Sequence, residues 1–385
     1  MAGALVTTNV LQTAVAMGMK ALRERVVLPR LVNRNYEQEI TGVKIGATVN
    51  VAVPASITTR SVTPDVVPPA VTAVTPTSIP VTVDQWDEAA FAMDDKGIAQ
   101  VLRGVIPMQL SEAIKAIANT IDNYLWGLTH NTDGFYGYAG VAGTTPFSTS
   151  LSEFLSVDQL AQEQLMDPDP RFMIINPAAR ANALGLRAIQ DFSFKGDRSG
   201  LMYGEIGTIV NALWLMSQNV PSHTAGTASG ATTDGSAYAV GIKTVTLASA
   251  GTGTILAGDI ITFAGDTQTY VVVTGDADVS DAGTVVFEPG LKVVIATAAV
   301  AITVKASHVM NLLLHRDAIA FAMAPLMQTA MTPSRQANTA VAIDEESGLS
   351  LRLEVSDQYK QTQWAFDALY GGKVVRREFG VRLAG

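Results

Sequence analysis

The sequence predicts an α+β fold interrupted by a small β module, and three observations carry that prediction. Apolar residues recur at helical spacing through a long stretch ending near Thr129. Short alternating runs of Val, Ile and Thr lie on either side of it. Between Ala239 and Val304 the chain changes to Thr, Val, Gly and Ala with closely spaced turn signals, and the α+β pattern resumes at Ser307.

Thr8 to Arg25 reads as the first helix. Thr7 and Thr8 suit its cap, and Val10, Leu11, Ala14, Val15, Met19 and Leu22 hold helical spacing. Lys20, Arg23 and Arg25 suit the negative end of its dipole, and Pro29 stops it. In "TGVKIGATVNVAVP", Val43, Ile45, Val49, Val51 and Val53 share one period-two face and predict a strand; Ile79 to Trp86 is expected to be a second. Pro54 to Pro76, between them, is too rich in proline for a sheet interior, and Val66, Val67, Val71 and Val74 on it ask for a covering partner.

Asp94 and Asp95 suit the start of a helix over Lys96 to about Thr129. Ile98, Val101, Leu102, Val105, Leu110, Ile114, Ile117, Ile121, Leu125 and Leu128 give its apolar stripe, and Pro107 is expected to kink or split it. Beyond a glycine-rich loop, a helix is expected over Val157 to Met166 and a strand over Phe172 to Ile175. A second helix starts at Pro177, and at least one strand lies in "GEIGTIVNALWLMSQNVP". Ser222 to Tyr238, "SHTAGTASGATTDGSAY", has the composition of a flexible linker. The return of the α+β pattern beyond Val304 makes it one lip of an insertion. The module itself reads as a small barrel or sandwich with turns at Gly258-Asp259, Gly265-Asp266 and Gly275-Asp276. "NLLLHRDAIAFAMAPL" has a helix-like apolar face. The last strands contain Leu351, Leu353 and Val355 in alternation, with Gly371-Gly372 as a turn.

Length and composition narrow the function. The 385 residues suffice for two or three domains, yet charged residues are only 16 %, against 48 % hydrophobic. A chain that covers much of its surface with copies of itself needs less charge. The net charge is −9, and the basic groups (Lys20, Arg23, Arg25, Arg30 and Arg34; Lys373, Arg376, Arg377 and Arg382) lack interleaved aromatics, which argues against sequence-specific nucleic-acid binding. There are no cysteines, which removes disulfides and thiol chemistry. No secretory pattern opens the sequence, and Val293 to Val304 is shorter than the ~20 residues of a spanning helix, so a soluble product of the cytoplasm is expected.

Catalytic patterns are missing. "YGGKVV" lacks phosphate-loop spacing, Gly137, Gly140 and Gly143 do not form GxGxxG, and "GDRSG" has its serine one place too late for a nucleophile elbow. Of His130, His223, His308 and His315, the last two stand two helical turns apart but lack a third metal ligand. Asp276, Asp278, Ser280 and Asp281 begin like a calcium loop, yet Asp281 and Phe287 occupy its glycine and glutamate positions. Met166 to Pro170 reads as a rigid turn, and Asp344, Glu345 and Glu346 as a solvated loop. No enzyme activity, cofactor or metal is expected.

The order of elements resembles the major capsid proteins of tailed bacteriophages, the Hong-Kong-97-type fold, and within them the P-twenty-two-type podovirus coat proteins with an inserted domain. The segments that carry the likeness are "MGMKALRERVVLPRLVNRNYEQE" as an arm, "GVKIGATVNVAVP" as the outgoing strand of a projecting loop, Asp95 to Thr129 as a spine helix and "FMIINPAARANAL" in a peripheral region. "GDIITFAG", "TYVVVTGD" and "GTVVFEPGL" match the inserted domain, and "YGGKVVRREFGVRLAG" the closing strands. The resemblance implies a division into an N-terminal arm (1–41), an extended β-hairpin loop (42–93), and a spine helix with peripheral and first axial parts (94–221). The inserted β domain (222–306) and the rest of the axial and peripheral domains (307–385) follow. It implies hexamers and pentamers in an icosahedral shell around double-stranded DNA, held without sequence-specific contact. A scaffolding protein, a portal and no membrane complete the expected partners, and the mature location is the virion. Arg23, Arg25, Arg30 and Arg34 are then candidate scaffold or subunit contacts, and Val66, Val67, Val71 and Val74 are covered by a neighbour. Some relatives cross-link a Lys to an Asn; Lys44 is the lone lysine between Gly42 and Gln85, at the base of the loop, and no cross-link is expected. A tail or fibre protein would be β-rich throughout, and a β-domain ligand-binding module would show a signal peptide and exposed aromatics.

Overall fold

Alternating valines make Thr48–Val53 a strand, β1. Thr77–Thr82, β2, returns antiparallel beside it, with Thr48 opposite Thr82 and Val53 opposite Thr77. The computed structural model describes residues 27–34, 48–53, 57, 59, 77–94, 105–190, 206–324, 339–343 and 350–385. These fall into two units. One draws on Arg34–Gln109 and Ala320–Val375, the other on Lys20–Asn33, Leu110–Ile319 and Arg376–Gly385. In the first, the expected Ile79 to Trp86 strand is broken at Val83–Asp84, and a separate ten-residue strand follows, β3 (Gln85–Asp94). Asp94 ends this strand, opposite Gln361, and the expected helix start from Asp95 lies outside the described residues.

The long helix α1, Val105–His130, belongs to the second unit from Leu110 onward. Ile114, Ile117, Ala118, Ile121, Leu125 and Trp126 are buried on it at the i, i+3, i+4 spacing of a single face. Pro107 is its third residue and does not split it, because the first turn of a helix needs no donor there. The part of the expected helix before Val105 lies outside the described residues. Next come β4 (Gly137–Gly140), α2 (Ser152–Glu163) and β5 (Arg171–Ile175). Buried Arg171 ties β5 to α2: its Nη1 donates to Asp158 Oδ1 at 2.9 Å and its Nε to the Asp167 carbonyl at 2.7 Å. Helix α3 (Pro177–Gly185) starts at the expected proline, and Asn176 Oδ1 caps it by accepting from the Ala179 amide at 2.8 Å. A short α4 (Arg187–Gln190), β6 (Thr208–Ile209) and β7 (Ala212–Met216) follow.

The Ser222–Tyr238 stretch is not a free linker. It opens with β8 (Ser222–His223), and its later residues bridge outward at Ser229 to Thr252, Thr232 to Ala301, Thr233 to Leu247 and Tyr238 to Ile295. Its small residues let the backbone approach closely enough for these bonds. They reach a five-stranded antiparallel sheet in the order β13 (Ile302–Val304), β10 (Ile260–Phe263), β11 (Tyr270–Thr274), β12 (Thr284–Glu288), β9 (Thr244–Thr246). The Asp234 amide donates to the Thr246 carbonyl on one edge strand. The Ile302 amide, on the other, donates to the Ala231 carbonyl. The sheet has its own core, centred on Phe263, Tyr270 and Phe287 with ring centroids 5.2 to 5.4 Å apart.

"HVMNLLLHRDAIAFAMA" forms two strands, β14 (His308–His315) and β15 (Ile319–Ala324), rather than a helix. Both are buried along almost their whole length, and a strand covered on both faces shows no period-two signal. In the first unit, β15 lies beside β18 (Gln361–Val374), which also pairs with β3 and with β17 (Ser350–Gln358); β16 (Thr339–Ile343) completes that sheet. Val49, Val51, Val81 and Val83 are buried against Ala320, Ala322, Ala324 and Leu369. Gly371 and Gly372 lie within β18 and make no turn. A side chain at Gly371 would stand 2.0 Å from the Thr82 carbonyl oxygen, so glycine serves close backbone approach there. The reversal comes instead at Tyr359–Lys360, with Lys360 at φ +57°. Finally β19 (Gly380–Ala384) enters the second unit's sheet, whose order is β4, β19, β14, β5, β7, β6, with β8 also on β14.

Buried Asp367 is the main polar tie in the first unit. It accepts from Arg352 Nε at 3.0 Å and from Trp86 Nε1 at 3.2 Å, and Arg352 is its cross-strand partner. Asp367→Leu alone should cost about 1 to 3 kcal/mol, because it removes the acceptor of Arg352 Nε and Trp86 Nε1 and leaves the mostly buried guanidinium only Glu354, at 3.7 Å. Combining it with Arg352→Met should recover most of that loss, measured by urea denaturation of the single and double variants.

Candidate functional site

Of the candidate contact residues, Arg23, Arg25, Val66, Val67, Val71 and Val74 lie outside the described residues, as do Lys44 and Asp344 to Glu346. Arg30 is exposed at the end of a single 3-10 turn, Leu28–Arg30. Arg34 is half-buried, its guanidinium carbon 5.5 Å from the centroid of Phe321, so it packs as well as charges the surface. The turn itself is anchored by a residue that periodicity does not flag. Asp122 on α1 is buried and accepts from the Leu28 amide and from Asn219 Nδ2, both at 3.0 Å. Burial raises its carboxyl above the usual range, and these hydrogen bonds oppose the rise.

The histidines were the other candidates. His308 and His315 begin and end β14, so they are not on a shared helix face. His315 accepts from the Asp317 amide at 3.1 Å and packs edge-on against Phe379. His308 instead joins His130 and His223 in a cluster whose members are far apart in sequence. The ring centroids of His223 and His308 are 5.5 Å apart, and those of His130 and His223 6.1 Å. His223 Nε2 donates to Asp259 Oδ1 at 3.0 Å. Asp259 is fully buried and also accepts from the amides of Leu256 at 2.7 Å and Gly226 at 3.0 Å. Arg382, fully buried on β19, donates to the carbonyls of Gly258 and Thr129, each at 3.2 Å. Gly258 has φ +89°, and a side chain there would stand 2.2 Å from the His130 carbonyl oxygen.

Burial disfavours added charge in this cluster. It pulls His308 down to about 4, with the positive charge of Arg382 adding to the effect, and it lowers His130 as well. Burial also lowers the Arg382 guanidinium, and the Asp259 charge opposes that. His223, Asp259, His308 and Arg382 are buried, whereas His130, at the end of α1, is half-buried. Among the described residues no group of three or more His, Asp or Glu side chains is placed to hold a metal ion. The acidic turn closes on itself: Asp278 Oδ1 accepts from the Ser280 amide at 3.0 Å and its hydroxyl at 2.7 Å.

The surface offers a different kind of site. Segments 238–242 and 291–295 run antiparallel, joined by hydrogen bonds between Tyr238 and Ile295 and between Ile242 and Leu291. Val240 and Val294 on this ribbon are 63 % and 60 % exposed, with Ile242 and Val293 exposed beside them. Large aliphatics are thus exposed on both segments of this ribbon.

No protein-family model matches the sequence, and no curated protein matches it. Solved structures do match in fold. A structure from Mycobacterium phage Che8 aligns with a TM-score of 0.51 at 15 % identity, over 93 % of this chain and 90 % of that one. The capsid structure of the cyanophage P-SCSP1u aligns with a TM-score of 0.53 at 11 % identity, over 93 % of this chain and 88 % of that one. The chain therefore has a phage capsid fold. Among the described residues no helix is long and apolar enough to cross a membrane.

Asp122→Ala should leave the buried Leu28 amide without an acceptor and cost about 1 to 3 kcal/mol. Amide exchange at Leu28 to Leu31 should accelerate far more than exchange in the α1 core. Equal acceleration in both would mean that Asp122 does not anchor the turn.

Proposed function

We propose that the protein is the major capsid protein of a tailed bacteriophage. It is structural rather than catalytic, and it self-assembles as hexamers and pentamers into an icosahedral shell around double-stranded DNA. The observation that carries this reading is the capsid fold running over 93 % of the chain. The low charged fraction suits a subunit much of whose surface meets copies of itself. The net charge of −9 suits a shell that encloses DNA without gripping it.

The finer reading follows the P-twenty-two-type coat proteins, with residues 222–306 as an inserted β domain. Its separate sheet and core, and the strap bonded to both edge strands, support a closed barrel that stabilises the subunit. We assign the Val240, Ile242, Val293 and Val294 ribbon to contact across capsomers. The β1–β2 pair is the base of the extended loop, whose Val66, Val67, Val71 and Val74 are covered by a neighbour. Arg23, Arg25, Arg30 and Arg34 remain the candidate scaffold contacts, and a portal completes the shell.

Expression alone and then with the neighbouring phage genes, followed by sedimentation and negative-stain imaging, tests the reading. Closed shells or capsomer-sized rings are expected; a monomer under every condition would overturn it. Val240→Asp with Val294→Asp should leave monomer stability within about 0.5 kcal/mol, since exposed sites tolerate change, while shell yield falls severalfold. Unchanged shell yield would remove the ribbon from the interface.

A further inference from the structure

The histidine cluster joins two separate sheets. His223 lies on β8, paired with β14 of the seven-stranded sheet opposite His308, and its partner Asp259 immediately precedes β10 of the five-stranded one. Arg382 reaches from β19 to the Gly258 carbonyl. Thr269 Oγ1, beside β11, donates to the Tyr136 carbonyl at 2.7 Å. Lys305, in the second connecting segment, places Nζ 5.8 Å from the Tyr138 ring centroid.

Charge inside this joint is balanced only while the imidazoles are neutral. Asp259 supplies one negative charge and Arg382 one positive. His130 faces them from the end of α1, His223 from β8 and His308 from β14. Tyr138 of β4 packs edge-on against His308 at 5.1 Å, with Lys305 on its ring. His308 Nδ1 donates to the Ala306 carbonyl at 2.9 Å, while its Nε2 is buried with no protein partner. A proton on Nε2 would add a cation beside Arg382 with no second carboxylate to answer it. His130 is similarly committed through Nδ1 to the Trp126 carbonyl at 2.9 Å.

We propose that this cluster is an acid-sensitive latch: protonation of His130 and His308 releases the five-stranded module from the seven-stranded sheet as a folded unit. The module keeps its own core, so the joint yields first. The two connecting segments, which contain exposed Thr224 and exposed Ala306 and Ser307, supply the hinge. The sign follows from the depressed proton affinities. The unfastened histidines bind protons near their ordinary 6.5, and His308 in the joint only near 4. The latch is therefore fully fastened above pH 6.5 and weakens progressively toward pH 4.

The chain has no cysteine, so a pair introduced at exposed Leu155 and exposed Ala282, the latter away from the aliphatic ribbon, takes a donor and an acceptor dye selectively. Labelled full-length chains, diluted into unlabelled ones, are titrated from pH 7.5 to 4 with far-UV circular dichroism in parallel. Energy transfer is expected to change between pH 6.5 and 4 while the dichroism stays native. His130→Gln with His308→Gln should move that midpoint at least one pH unit lower. Constant transfer down to pH 4, a change that coincides with loss of dichroism, or an unmoved midpoint in the variant would each overturn the proposal. Should the variant not fold, hydrogen exchange of the unsubstituted protein at pH 7 and pH 4.5, corrected for intrinsic rates, decides. Selective acceleration at 223–226, 256–260 and 305–308, with the Phe263, Tyr270 and Phe287 strands still protected, supports the latch. Uniform acceleration or none refutes it.

Discussion

The full burial of Arg382 is the constraint on which the second unit turns. A guanidinium taken out of water is tolerated only where carbonyl oxygens and a carboxylate surround it. Here the carbonyls come from the last turn of α1 and from the loop before β10, and the carboxylate, Asp259, from that same loop. Placing that one residue fixes where the long helix ends, where the module docks and how β19 sits. β19 itself pairs antiparallel with β14 and parallel with β4, so it is the strand through which β4 joins the sheet.

The two units use different physics for the same task. The first is held by small apolar faces, Val49, Val51, Val81 and Val83 on the alanines of β15, and by one ion pair across adjacent strands. Close approach is essential there, which is why Gly371 is tight against the Thr82 backbone. The second relies on polar residues at its joints: Asp158 with Arg171, Asp122 with Leu28 and Asn219, Asp259 with His223. Each such carboxylate joins elements separated in sequence and accepts more than one donor or serves a fully buried partner.

Elements with a strong period were legible in the sequence. The α1 stripe, the β1 valines and the strand starting near Phe172 all show it, and the capsid fold followed from their order. Where burial is two-sided the period vanishes, and the β14–β15 run, apolar at almost every position, imitated a helix. Composition misled at Ser222–Tyr238, because small polar residues suit a strap pressed against a sheet as well as they suit a linker. It misled again at Gly371-Gly372, where glycine marks contact between backbones. The histidine cluster was invisible because its members come from residues 130, 223, 259, 308 and 382, and no local spacing joins them. The one available signal was an arginine in the apolar run "FGVRLAG", where a lone charge demands a buried partner.

The strap over the five-stranded sheet has a consequence for the edges of that sheet. An open sheet presents rows of unpaired amides and carbonyls, to which the strand of another chain can add. By bonding to residues at both edge strands, β9 and β13, the Ser222–Tyr238 segment occupies the positions where a foreign strand would add. It is the intramolecular counterpart of an added strand, so the edges are used within the chain and the exposed aliphatic ribbon differs from them in kind: it presents side chains rather than a bare backbone ladder.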